Sequence, residues 1–419
     1  MVYLFCTLLI ILLLLSWKYI LRLEPAGIFA ALWLTMGFLT LLLQNYINLN
    51  FEGCSFIIAG VIFFTAGTIF SDYFYTPIAN GVEIGINRQR VTPILLILIV
   101  GAMVNPIYSL ILHGFSLQAL LDMREILEMN KEISIERYNQ GEARNMVSQF
   151  FLIFSYAAPI IGGFCFRVVN KWNKILCVIT LIPGTFIALT QSLKMGMITS
   201  FMLWFGSYIT CSYCFGLSIQ FKLKAFLRFV YIVLLFFFVL FISMVFRYGE
   251  INDGTIFETS QKFVSYSLGH MHNVDRWYTT YIPQEFTLGS RTFFGISNLL
   301  GVEERVQGIY PEFMNVGKNG FFGISNTFTI FRPIVEDFGE VGAMIFMFVM
   351  GLVANMALKA ITVHRFVYFN QTLLIAIYAF LMWSFSASFY AYTSYLATFF
   401  LIYFLFRILQ TRTITCRTE

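Results

Sequence analysis

The chain has 419 residues, of which 58% are apolar, 18% aromatic and only 12% charged, with a mean hydropathy of +0.76. Soluble domains carry roughly 25% charged residues, so this composition excludes an ordinary water-soluble domain. It describes an all-α polytopic membrane protein, because in lipid each helix must satisfy its own backbone. The net charge of +5, from 27 basic and 22 acidic residues, is too weak a bias to indicate a nucleic-acid partner.

Apolar runs near the roughly 17 to 25 residues that cross about 30 Å of hydrocarbon predict eleven transmembrane helices. They fall at 2–21, 26–43, 54–75, 91–112, 146–168, 174–190, 195–215, 225–246, 340–361, 368–388 and 392–409. The first lacks the basic start and small-residue cleavage site of a signal peptide, so it is expected to be retained. The short turn in "LTQSLKMG" also fits a re-entrant hairpin. Lys18 and Arg22, Arg88 and Arg90, Arg167 with Lys171 and Lys174, Lys222 with Lys224 and Arg228, His364 with Arg365, and Arg407, Arg412 and Arg417 occupy every second connection. "QNYINLNFEG" and "YAYTSY" hold no Lys or Arg, so the alternation predicts the N-terminus outside and the C-terminus inside.

The chain then divides into spans 1–4 (1–112), a first outer loop (113–145), spans 5–8 (146–246), a large outer loop (247–339), and spans 9–11 with a cytoplasmic tail (340–419). In the first loop, "SLQALLDMREILEMNKE" sets Ala119, Leu120, Met123, Ile126 and Leu127 on one helical stripe, opposite Asp122, Glu125, Glu128 and Glu132. It reads as an amphipathic helix on the membrane surface or on the protein. The second loop is the largest polar region. Short surface helices are expected there, packed over the bundle through Phe293, Phe294, Phe321 and Phe322.

There is no GxxxxGKS/T loop, no GxGxxG after a strand, no HExxH and no Asp-x-Asp pair. These absences disfavour a nucleotide-driven pump and a nucleotide-sugar enzyme, and no cofactor or metal is expected. Of four histidines only His270 and His272 are close in sequence. Of seven cysteines only Cys54 lies near the outer face, and the "CSYC" pair at 211 and 214 reads as packing.

Cations in the outer region draw more attention. Lys262, Arg305 and Lys318 read as solvated charges balanced by the loop's ten acids. Arg247, Arg332 and Lys194 lie at apolar boundaries, where a charge is costly unless paired or employed. A guanidinium there suits a lipid-linked phosphate or pyrophosphate, which it binds through paired N–H donors. Two or three such cations would stabilise a leaving pyrophosphate without a metal. A histidine or carboxylate would deprotonate an attacking sugar hydroxyl, and His270, His272, Asp275 and Asp337 compete for that role. Equally, "EDFGEVG" reads as the start of a helix, with acids at its positive end and glycines for close packing. The local alternative for "GHMHNVDRW" is a surface-lying helix in which His272 pairs with Asp275 or Arg276.

The succession "VSYSLGHMHNVDRWYT", "LGSRTFFG" and "NTFTIFRPIVEDFGEVGAMIFMFVMG" resembles the Wzy-type oligosaccharide repeat unit polymerases, also called O-antigen polymerases. The likeness covers mainly 240–355, with the plan of many spans and two outer loops. "LTQSLKMGMI" resembles a segment where relatives often have Ser-x-Arg, with Lys194 in the arginine's place. The resemblance implies a bacterial inner-membrane glycosyltransferase acting at the outer face. It would transfer a growing glycan from undecaprenyl pyrophosphate to an incoming lipid-linked repeat unit, without a metal. Its partners would be those lipid-linked donors and acceptors, membrane lipids, a chain-length regulator and a flippase. Carried onto this chain, the pyrophosphate-binding candidates are Arg247, Arg332, Arg276, Arg291 and Lys194, with Arg124, Arg137 and Arg144 in the first loop. The catalytic candidates are His270, His272 and Asp337. The alternatives are a glycan ligase of the O-antigen type, or a lipid-linked oligosaccharide flippase or other transporter. The latter would show inverted repeats and charges inside spans, and no internal repeat is present.

Overall fold

The computed structural model describes residues 1–78, 82–140, 146–191, 193–218, 223–283, 285–302, 310, 312–318 and 322–414. Its elements in chain order are α1 (Val2–Arg22), α2 (Pro25–Leu42), α3 (Glu52–Phe74), β1 (Val82–Ile86), α4 (Arg88–Leu112), a 3-10 turn (Leu117–Leu121), α5 (Met123–Gln140), α6 (Met146–Cys165), α7 (Lys171–Ile179), α8 (Ile182–Gln191), α9 (Lys194–Cys214) and α10 (Leu223–Phe246). There follow α11 (Asp253–Thr280), α12 (Phe294–Leu299), β2 (Met314–Asn315), β3 (Ile324–Ser325), α13 (Phe331–Thr362), α14 (Val367–Trp383), a 3-10 turn (Phe389–Ala391), α15 (Thr393–Leu409) and β4 (Gln410–Ile414). Among the described residues seven helices are long and apolar enough to cross a membrane: α1, α2, α3, α4, α6, the joined α7–α8, and α13. Val230–Phe246, α14 and α15 are shorter apolar helices. The chain is therefore a helical membrane protein.

Several expectations need correction. The region 247–339 is not mainly loop, since α11 alone takes 28 residues of it and α13 begins at Phe331 rather than 340. Residues 174–190 are not one helix. The axis breaks at Thr180–Leu181, where Pro183 has no N–H to continue the ladder. "SLQALLDMREILEMNKE" is also two pieces: Asp122 leaves the helix and caps α5, accepting from the Arg124 N–H at 2.8 Å. Two short antiparallel ribbons, β1 with β4 and β2 with β3, are minor beside the helices, consistent with the all-α expectation. The chain folds as two compact units: 1–80 with 261–396, and 81–260 with 397–419.

In the first unit, α1 and α2 form a tight hairpin. Leu23 turns left-handed, Pro25 opens α2, and Gly27 admits the Tyr19 carbonyl so closely that a Cβ would lie 2.1 Å from its oxygen. α3 and α13 run parallel and touch through glycine. A Cβ at Gly67 would meet the Phe348 carbonyl oxygen at 2.0 Å, and one at Gly351 the Phe64 oxygen at 1.9 Å. Small residues let backbones approach in this way where lipid supplies no hydrophobic drive. Gly351→Val is expected to force the two helices apart, at more than the ~1–3 kcal/mol of ordinary overpacking. Thermal unfolding in detergent would show this as a large drop in Tm, with Gly196→Ala, whose nearest neighbour is 3.6 Å away, as control.

One end of these helices carries a polar cap. Trp33 Nε1 donates to Ser384 Oγ at 3.1 Å, and the Ile330 N–H to the Ser384 carbonyl at 2.9 Å, which brings α2, α13 and α14 together. At the other end Asp72 on α3 accepts from Tyr19, Asn355 and Lys359, and the Lys359 ammonium also reaches the carbonyls of Ser71, Asp72 and Tyr75 at 2.9–3.3 Å. Lys359 thus caps the C-terminus of α3 from a neighbouring helix.

In the second unit α4 and α6 pack closely, with Gly101 beneath Phe154, and Ser155 donating to the Ala102 carbonyl. α5 lies on the protein. Leu110, Met129 and Ile133 form a small core with Phe186 beside it, and the buried Asn130 amide donates to the Leu189 carbonyl at 2.7 Å. Its buried face therefore centres on Met129, Asn130 and Ile133, one turn beyond the predicted stripe, and Met123 is exposed.

Candidate functional site

The cap is organised by α11. The helix is buried on every side from Leu268 to Asp275, so it is an internal strut rather than a surface-lying helix. Asp275 is no free base. Its carboxylate accepts from the backbone N–H groups of Asn50 (2.6 Å), Phe51 (3.1 Å) and Cys54 (3.3 Å), satisfying the entry to α3. Such a carboxylate takes the place of a local N-cap. Arg276, next along, is exposed.

The two histidines differ. His270 is buried between the rings of Trp33 and Phe385, at 6.2 and 5.8 Å, and neither ring nitrogen makes a well-formed hydrogen bond. Burial pulls its pKa down to about 4, with the Tyr266 carbonyl opposing weakly, so it is neutral at pH 7. His272 is also lowered, by burial first and against the help of Asn273. The Asn273 amide nitrogen donates to the carbonyls of Ser325 (3.1 Å) and Thr327 (3.0 Å), which leaves its Oδ1 to face His272 Nδ1 at 3.3 Å. That orientation assigns the proton to Nδ1 and the lone pair to Nε2. His272 pairs with Asn273, not with Asp275 or Arg276.

Arg332 stands at the second position of α13, where the cap meets the apolar span. The sequence suggested a boundary cation in need of a use or a partner; the structure supplies partners for all three nitrogens. Nε donates to Glu336 Oε1 at 2.9 Å, while Nη1 and Nη2 fork onto Glu312 at 3.0 and 3.1 Å. The guanidinium lies 3.7 Å from the Tyr310 ring centroid and 4.3 Å from that of Phe328, with Trp277 at 5.4 Å. The Tyr310 hydroxyl donates to Glu336 Oε2 at 3.0 Å, and its pKa is pushed up by burial and then by the Glu336 charge. The partners are unequal in exposure. The Glu336 side chain is 19% exposed and that of Glu312 52%. Partial burial pushes the Glu312 carboxyl up, but the Arg332 fork outweighs it and holds the group below the usual glutamate range.

Asp337 is fully buried and also spoken for. It accepts from the Thr287 hydroxyl and from the N–H groups of Arg291 (3.0 Å) and Thr292 (2.7 Å), while its own carbonyl takes the Leu288 N–H at 3.2 Å. The expectation that its carboxylate serves the start of its own helix is therefore corrected: it serves the turn 287–292. Two residues on, Gly339 at φ 71° breaks α13 into a short first helix and the span proper. The turn sets Arg291 in the same electrostatic neighbourhood as Arg332, since both charges act on Tyr310.

So the first unit gathers Arg332, Glu312, Glu336 and Tyr310 into one cluster, while Asp337 anchors the turn that carries Arg291. Lys194 and Arg247 belong to the second unit, at the first residue of α9 and just beyond the end of α10. Arg247 is there favourably placed for the dipole of its helix, and Lys194 unfavourably. Arg144, Arg305 and Phe321 lie outside the described residues, as does the side chain of Arg137. Glu312 and Tyr310 carry no local signal, for their partner Arg332 is some twenty residues away; Phe328, only four residues from it, is an aromatic that by itself signals nothing beyond packing. Cys211 and Cys214 are buried and not joined in a disulfide, as packing residues would be. Among the described residues no three of His, Cys, Asp and Glu gather as metal ligands would. Comparisons of the chain with protein-family models, with curated proteins and with solved structures find no match.

Proposed function

We propose that this chain polymerises lipid-linked oligosaccharide repeat units at the outer face of a bacterial inner membrane, transferring the growing glycan from undecaprenyl pyrophosphate to an incoming lipid-linked unit. The observation that carries the reading is the Arg332 fork. It is a planar, permanently charged donor pair, set where polar cap meets apolar span, and its most exposed partner is an exchangeable carboxylate. A pyrophosphate offers the same paired oxygens with more charge, and would replace Glu312 rather than fill an empty cradle. Arg291, whose charge also acts on Tyr310, is the second candidate cation. The resemblance of 240–355 to the Wzy-type polymerases supports the same class.

The reading includes eleven spans, with α9 and the three shorter apolar helices added to the seven. One feature of the second unit agrees with that count. β1 pairs with β4, so an even number of crossings must separate them, and the scheme has eight: α4, α6, α7–α8, α9, α10, α13, α14 and α15. Within the first unit, Asn50 and Asp275, assigned to the outside, meet at the start of α3, while Asp72 and Lys359 meet at its other end.

In the reaction the acceptor hydroxyl attacks the anomeric carbon, the bond to pyrophosphate breaks, and undecaprenyl pyrophosphate leaves with the bonding electrons. The proton needs a base. Asp337 spends both oxygens on its turn, and His270 lies among rings. His272 has the better case, with Nδ1–H held by Asn273 and the lone pair on Nε2.

Reconstitution with lipid-linked repeat units tests the proposal. Laddered glycan with released lipid pyrophosphate is expected, and it should persist in EDTA. Transbilayer movement without elongation would instead make the chain a flippase, and single transfer onto another acceptor a ligase.

A further inference from the structure

The turn that Asp337 anchors carries an unexplained set of side chains. Leu288 is 82% exposed at its tip, Ile282 is 78% exposed just before it, and Phe286 is more than half exposed. Leu288 also sits in the left-handed region, φ 49°, where an asparagine or glycine would be at less strain. A loose loop would not need explaining, but this one is fixed. Its backbone is tied to α13 through Thr287 N–H to the Glu336 carbonyl and Leu288 N–H to the Asp337 carbonyl, and the Asp337 carboxylate holds Arg291 and Thr292. Phe286 rests at Gly339, where a Cβ would meet its ring at 2.9 Å.

What covers this tip is indicated by what continues from it. Immediately after Gly339, Val341, Ile345 and Val349 recur every four residues, all exposed, and so form one apolar stripe on a helix long and apolar enough to cross a membrane. That stripe is where lipid would lie. Phe286 to Ser290 carries no charge, Arg291 follows it, and exposed Glu285 precedes it where the chain returns to water. An apolar tip backed by an arginine at phosphate depth is the pattern of an interfacial element.

We propose that the turn Phe286–Arg291, with Ile282, is a membrane-inserting element: Leu288, Phe286 and Ile282 enter the apolar layer beside α13. The occupant of this surface is the bilayer itself, and the inference does not depend on the polymerase reading. The function of Asp337 and Gly339 is then to hold an apolar tip against the lipid at the mouth of the Arg332 cluster.

The test places an environment-sensitive fluorophore on the full chain through Leu288→Cys and, separately, Ile282→Cys. The proteins are reconstituted in phosphatidylethanolamine–phosphatidylglycerol vesicles. The unsubstituted chain, labelled in parallel, gives the background from native thiols, of which those described are buried apart from half-buried Cys6. Expected at both positions is blue-shifted emission, quenched several-fold more by phospholipids with a nitroxide high on the acyl chain than by aqueous iodide. Dominant iodide quenching would overturn the proposal, because the tip would then lie in water. Quenching by neither would overturn it too, by showing that protein covers the tip. Should Leu288→Cys fail to fold, Ile282→Cys still gives one of these outcomes.

Discussion

Arg332→Ala should abolish glycan elongation and lower the melting temperature of the protein at the same time. The substitution leaves Glu336 without its cation in a mostly buried site and removes the guanidinium packed against the touching Tyr310 and Phe328 rings. Breaking a buried pair by removing one partner costs about 3–5 kcal/mol, much of it the uncompensated charge. Arg332→Lys keeps the charge but not the fork, and should recover stability better than activity. Retained long-chain glycan in the alanine variant would remove Arg332 from the site.

Because the alanine variant disturbs folding and binding together, Glu312→Gln is the sharper probe. Its side chain is half exposed, so losing its charge should cost little stability, since exposed pairs contribute about 0–1 kcal/mol. If Arg332 exists to hold pyrophosphate, freeing its fork should tighten binding of undecaprenyl pyrophosphate severalfold. Unchanged affinity would mean that Arg332 is a staple for the cap and nothing more. Acid gives an independent view. The folded-state pKa of Glu312 is depressed, so its contribution is fully present above the ordinary glutamate value of about 4.3 and is lost as pH falls through the lowered one. The wild-type cap should therefore lose stability below about pH 4, and Glu312→Gln should show less of that loss.

The parts of this fold that could be read in advance are those set by local pattern. Among the described residues, the seven helices long and apolar enough to cross a membrane follow from runs of apolar residues. The cap resisted for a physical reason: its polar residues are satisfied across long separations in the chain. Asp275 looked like a candidate base because its partners, the N–H groups of Asn50, Phe51 and Cys54, lie more than two hundred residues earlier. Glu336, four residues on, is a local partner for Arg332, but the fork onto Glu312 could not be read because Glu312 is 20 residues away and nothing local brings them together. "HMHNVDRW" contains polar residues at every spacing, which suggested a surface, whereas α11 buries His270 in a box of rings, pairs Asn273 and Asp275 with other elements, sets His272 against Asn273, and leaves Arg276 exposed. Gly339 was read as close packing, and Phe286 does rest against it; its positive φ also breaks the helix, and this is why the charged shoulder belongs to the cap and not to the span.

Asp337 offers the second decisive experiment, since a base and an anchor fail differently. As a general base it would tolerate Asp337→Asn structurally while losing turnover outright. As the anchor of the turn 287–292 it would lose stability first. An asparagine keeps one acceptor for Thr287 and the Arg291 N–H, but its amide nitrogen would face the Thr292 N–H, leaving one buried donor unsatisfied at roughly 1–3 kcal/mol. Asp337→Ala orphans two backbone donors and a hydroxyl, so its cost should be about twice as large. The expected result is a graded fall in Tm from wild type through Asn to Ala, with activity following the same order. Abolished activity in Asp337→Asn at unchanged Tm would return Asp337 to the chemistry. The graded result would instead assign the proton to another group, with His272 next in line, and make the Asp-Phe-Gly corner the fixture that holds Arg291 and the apolar tip beside Arg332.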